Sequence, residues 1–171
     1  MNCEFKWFRA IIRLTFWLGI AWCVMLTTHE LGHIVVGLAA GGKLKAFDLR
    51  PWSLPYSFFD NNPYPLATLW AGPILGCLVP VAFAALWRAN VNWFIASFCV
   101  LANGAYIAIG WYSGQSELDT SKLFAQGASG VAVIVYCVST IVPSYFIFRK
   151  SLLALLFPPT ASAENDNREP A

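Results

Sequence analysis

Charge is scarce in this sequence: aspartate, glutamate, lysine and arginine make up 12% of its 171 residues, about half of what a soluble domain carries. The scarcity is also uneven. Residues 14–42 hold one charged side chain, Glu30, and residues 61–87, 89–116 and 123–148 hold none. This excludes an ordinary water-soluble domain, which would need charge distributed over its surface. Paired cysteines are missing as well: of the five present, Cys23, Cys77, Cys99 and Cys137 fall in apolar runs without the spacing of a disulfide framework or a metal knuckle. They read as small apolar packing residues. Lysines and arginines are few and scattered, and a net charge of +2 excludes a nucleic-acid-binding surface. A small-x-small cleavage site is absent after the first apolar run, so Lys6, Arg9 and Arg13 introduce a retained helix rather than a secretory signal.

What the sequence does have is length in those uncharged runs. Each exceeds the roughly 20 residues that cross hydrocarbon as a helix. The expected fold is an all-α multi-pass membrane protein in the lipid bilayer, with transmembrane helices near 14–41, 65–87, 91–112 and 129–148. Together these form one membrane-embedded domain over residues 1–157. The polar residues 158–171, opening on Pro158 and Pro159, predict a disordered tail.

Between the first two helices, Pro51, Pro55, Pro63 and Pro65 preclude a long helix. The imperfect alternation of Lys43–Leu49 predicts a short strand or hairpin at the membrane surface, with Trp52, Tyr56, Phe58, Phe59 and Tyr64 as an interfacial belt. Gly37 with Gly41, and Gly72 with Gly76, each share one helical face and predict close helix packing. Lys6, Arg9, Arg13, Arg88, Arg149 and Lys150 lie on one side of a four-helix arrangement, against Lys43, Lys45, Arg50 and Lys122 on the other. By the positive-inside rule both termini are cytoplasmic.

The chain has only two histidines, and both stand in His29-Glu30-Leu31-Gly32-His33. In a helix, residues four apart share a face, so both imidazoles can reach one metal ion from a single element. Glu30 is turned about 100° away, which leaves it free to act on water beside the metal without ligating it. A carboxylate without a partner at membrane depth costs at least about 2.5 kcal/mol, so its presence marks a functional site. A histidine in an apolar helix can also be a hydrogen-bonded packing residue, but the coincidence of both histidines with Glu30 favours zinc.

The motif, placed within a membrane helix and followed by Ala71-Gly72-Pro73 in the next, resembles the site-2 protease family of intramembrane zinc metalloproteases. The resemblance implies hydrolysis of peptide bonds in or near transmembrane segments of membrane protein substrates, with zinc held by His29 and His33 and Glu30 as catalytic base. It also implies a third ligand from a Leu-Asp-Gly segment. Leu118-Asp119 matches its first two positions, with Thr120 in place of glycine, so Asp119 is preferred over Glu117. The family's Asn-x-x-Pro element points to Asn103, with Tyr106 in place of proline, as a residue holding substrate or the developing oxyanion; a polar bridge between helices is the other reading. The resemblance places zinc nearer the cytosol, whereas the charge bias places Asp119 outside. The rival reading is a membrane scaffold or inactive relative that binds transmembrane partners without cutting them.

Overall fold

A computed structural model describes residues 3–157, with side chains from residue 7 onward. The expected tail at 158–171 lies outside the described residues. The order is α1 (Cys3–Ala39), β1 (Lys43–Asp48), β2 (Tyr56–Asn61), α2 (Pro65–Leu86), α3 (Asn90–Ser113), α4 (Asp119–Ala125) and α5 (Gly130–Leu156).

Four of these helices, over Trp7–Ala39, Pro65–Leu86, Asn90–Ser113 and Gly130–Leu156, are long and apolar enough to cross a bilayer, with mean hydropathies of 1.8, 2.0, 1.6 and 2.1. The protein is a multi-pass integral membrane protein. α1 packs mainly on α2, α3 mainly on α5, and α2 meets α3. Val135, Val138, Val142 and Phe146 of α5 remain exposed, as expected of a helix whose outer face meets lipid rather than water.

Two helices outrun the expected spans. α1 begins at Cys3 and carries Arg9 and Arg13, and α5 continues past Arg149 and Lys150 to Leu156. Charge ends a membrane span but does not end a helix, and neither extension contains proline to break it. At 37 residues, α1 is about 55 Å long, well beyond the roughly 30 Å hydrocarbon core. α4 replaces what the sequence suggested was loop. Its seven residues are too few for a periodic signal.

The strands form an antiparallel hairpin pairing Leu44 with Phe59, Phe47 with Ser57 and Asp48 with Tyr56, with irregular register near Leu44. The hairpin does more than lie at the surface. Gly41, at φ 85°, ends α1 and turns the chain, and the strands then run back along that helix. Phe59 lies against Gly37, Ser57 reaches Glu30, and the Pro51 carbonyl accepts a 2.9 Å hydrogen bond from Trp22 Nε1. Gly37 and Gly41 therefore do not serve helix packing: any side chain on Gly37 would collide with the Phe59 ring, while Gly41 supplies the left-handed turn. Protein covers this irregular backbone on the α1 side, and a cavity adjoins it, the two settings in which non-helical backbone is tolerated beside membrane helices.

Candidate metal centre

His29, Glu30 and His33 lie on α1 with about 5–6% of their surface exposed. Asp119, the first residue of α4, is 8% exposed and reaches both imidazoles: its Oδ2 is 2.9 Å from His29 Nε2 and 3.2 Å from His33 Nε2. The two Nε2 atoms are themselves 3.1 Å apart. Three potential ligand atoms thus make a nearly equilateral triangle.

The far side of each ring explains that convergence. His33 Nδ1 is 2.8 Å from the Thr68 carbonyl, which can only accept. His29 Nδ1 is 2.6 Å from Asn103 Oδ1, and the Asn103 amide nitrogen donates to the Cys99 carbonyl at 2.8 Å, so the oxygen faces the ring. Each imidazole therefore keeps its proton on Nδ1, and both Nε2 lone pairs point at each other and at a carboxylate. With no proton between them, the two lone pairs and the buried Asp119 carboxylate repel one another. Such a cluster calls for positive charge at its centre, supplied by an added proton or a cation. Its dimensions suit a cation: ligand atoms at the usual bond length of about 2.0–2.1 Å around a tetrahedral metal lie about 3.3 Å apart, close to the triangle found. A carboxylate oxygen of Glu30 also comes within 4.8 Å of the two imidazole nitrogens.

The surrounding helices hold these side chains by close approach. A Cβ on Gly72 would collide with the His33 ring, and one on Gly32 would lie 2.5 Å from the Ala71 carbonyl oxygen. The Ala71-Gly72-Pro73 stretch is thus where α2 crosses α1 beside the site. Gly76 meets the Asn103 amide, where a Cβ would stand 2.9 Å from its polar atoms. α4 is pinned by Leu123, fully buried with Ile107 and Val133. Thr120 is also fully buried, and its hydroxyl donates to the Ile107 carbonyl at 2.8 Å. Thr120 therefore anchors the neighbouring Asp119 to α3.

Of the residues singled out in the sequence, His29, Glu30, His33 and Asp119 come together, and Glu117 stays exposed on the rim. Asn103 is fully buried, with its amide occupied by His29 and Cys99. Three neighbours were not legible as such. Ser57 donates to Glu30 Oε2 at 2.7 Å, Thr68 acts through a carbonyl that every residue possesses, and Tyr106 sets its ring perpendicular to His29 at 5.5 Å. Ser57 and Thr68 belong to no spaced motif, and Tyr106 stood out only as the residue found where the resemblance expects proline. A cavity of about 380 Å³ opens beside the triangle, lined by Glu30, His33, Asp119, Asn62, Lys122 and Gln126 among others.

Comparison with protein-family models, curated proteins and solved structures found no match. The chain's own residues define it: a membrane-spanning protein with a buried His-Glu-His group able to hold a metal ion, an arrangement that suggests a metalloenzyme.

Proposed function

We propose that the protein is an intramembrane zinc metalloprotease of the site-2 protease type, cutting peptide bonds in or beside transmembrane segments of other membrane proteins. The observation that carries this reading is the placement of a buried carboxylate, Glu30, beside two imidazoles and a second carboxylate that converge on one point. Two nitrogens and one carboxylate oxygen are the donor set of catalytic zinc, which keeps its fourth position open. Zinc held by His29, His33 and Asp119 would polarise the scissile carbonyl and make water a better nucleophile near neutral pH.

The remaining work falls to the chain. Glu30 accepts the proton from the attacking water and passes it to the leaving amine. Ser57 donates to Glu30 Oε2, leaving the other oxygen for the proton. Asn103 and the Thr68 carbonyl fix the ring orientation of His29 and His33, the outer-shell role that keeps ligands in place. We therefore assign Asn103 to ligand orientation rather than to substrate. Tyr106, one helical turn further along α3 and facing the cleft, is placed to donate to the substrate carbonyl. A scaffold would have no use for a buried proton acceptor with its own hydrogen-bond donor.

The test is zinc content together with cleavage of a model transmembrane substrate in lipid nanodiscs. The parent should carry about one zinc per chain and cleave, and Glu30→Gln should keep zinc and lose cleavage. A zinc-loaded parent that binds transmembrane segments but cuts none would leave the scaffold reading in its place.

A further inference from the structure

Beside the polar cavity, and sharing Glu30, Leu54, Pro55 and Tyr106 with it, lies a second chamber of about 550 Å³, within the roughly 300–1,000 Å³ range of ligand pockets. α1 forms one wall with Trp22, Met25 and Leu26, and α3 another with Ala102, Ala105 and Ile109. The loop Pro51–Pro55 covers it, tied to α1 by the hydrogen bond from Trp22 to Pro51. Apart from Ser53 and the indole N–H groups of Trp22 and Trp52, its polar side chains are His29, Glu30 and Tyr106. Glu30 and Tyr106 line both cavities. Asn62, Glu117, Lys122 and Gln126 give the first its polar rim. An extended segment drawn across Glu30 would therefore meet polar surroundings on one side and apolar ones on the other.

We infer that this site selects peptide bonds at the edge of a substrate's transmembrane segment, with a large apolar residue of the membrane side in the α1–loop–α3 chamber and polar residues in the other cavity. The inference rests on the protease reading and names its substrate class. A substrate side chain fits the chamber better than a lipid tail does, because the chamber ends on the proton acceptor, where an acyl chain would block the reaction. Ala102 and Ala105 keep it open. Burying a charged side chain there instead would cost at least about 2.5 kcal/mol, or roughly 70-fold.

The experiment compares model substrates that carry Phe, Ala or Asp next to the mapped cut on the membrane side. With the parent, kcat/KM for Phe should exceed that for Asp by at least about tenfold. With Ala105→Phe, the Phe substrate should lose about tenfold more than the Ala substrate, with zinc content unchanged. In parallel, Glu30→Gln protein is photo-crosslinked to substrates carrying benzoyl-phenylalanine on either side of the cut. The membrane-side probe should label Met25 or Leu26, and the other should label Asn62 or Gln126. Equal cleavage of Phe and Asp substrates, or crosslinks absent from Met25 and Leu26 because lipid fills the chamber, overturns the inference and leaves the protease reading standing. Crosslinks at Met25 or Leu26 with no cleavage of any substrate overturns the protease reading while supporting the chamber as a site for transmembrane segments.

Discussion

At the candidate metal centre His29, Glu30, His33, Asn103 and Asp119 are buried, and their polar atoms join four helices, α1 to α4, and the strand β2. In the hairpin alongside, charged groups pair with at least one partner in the open: Lys45 meets Asp60 at 3.1 Å with both side chains more than half exposed, and the exposed Arg50 clasps the largely covered Asp48 at 2.6 Å two residues away in the chain. The difference teaches where sequence changes should matter. A buried polar group that loses its partner carries the full cost of desolvation, whereas an exposed ion pair exchanges its partner for water at little cost.

The sharpest contrast comes from removing ligands. His29→Ala and His33→Ala should each lose most of the bound zinc, and Asp119→Ala should lose zinc and abolish cleavage, because fewer than three protein ligands hold catalytic zinc poorly. Glu117→Ala, two residues from Asp119 but exposed, should change neither. Zinc content by mass spectrometry and cleavage rates decide this, and zinc retained in Asp119→Ala would remove the third ligand from the scheme.

One step outward, Asn103→Leu should weaken metal affinity by about 10–100-fold while leaving a folded protein, since His29 loses the acceptor that orients it. Competition with a chelator measures the change. An affinity equal to the parent's would return Asn103 to a packing role.

Thr120→Val should have a smaller effect. It keeps the shape that fills the space against Gly110 but removes the hydroxyl bond to Ile107, a bond worth about 1 kcal/mol, so metal affinity should fall by about tenfold or less. Loss as large as that of Asp119→Ala would show that α4 depends on this one anchor rather than on buried Leu123.

The hairpin pair should show the least. Hydrogen bonds from the Arg50 side chain, then from its backbone N–H, hold the Asp48 carboxyl down at about 2. A depressed carboxyl pKa contributes stability that is full above its unfolded value near 4 and fades as pH falls towards 2. Thermal stability should therefore not respond to this pair between pH 8 and 5, and Asp48→Asn should leave zinc content unchanged. A stability loss that begins near pH 6 would point to another group.

Much of the fold was legible because lipid imposes a simple rule: uncharged runs of sufficient length must become helices. The four spans and the strand after the first helix follow from composition and spacing. The pairing of His29 with His33 was legible for a related reason, since residues four apart share a helical face whatever surrounds them. α4 was not, because seven residues carry no periodic signal, and the return of the hairpin along α1 was not, because strand patterning says nothing about where the strand lies.

By itself, then, the sequence determined that four helices are long and apolar enough to cross a membrane, and that His29 and His33 share one helix face with Glu30 turned beside it. Only the tertiary structure decided that Asp119 rather than Glu117 faces the imidazoles. It also decided that Asn103 and the Thr68 carbonyl orient them, and that Gly72 and Gly76 make room for site residues. The physical reason is range. Helical periodicity and hydrophobic length are local properties of a chain, whereas a contact between His29 and Asp119, 90 residues apart, exists only after α1, α3 and α4 have packed, and no spacing in the sequence encodes that packing.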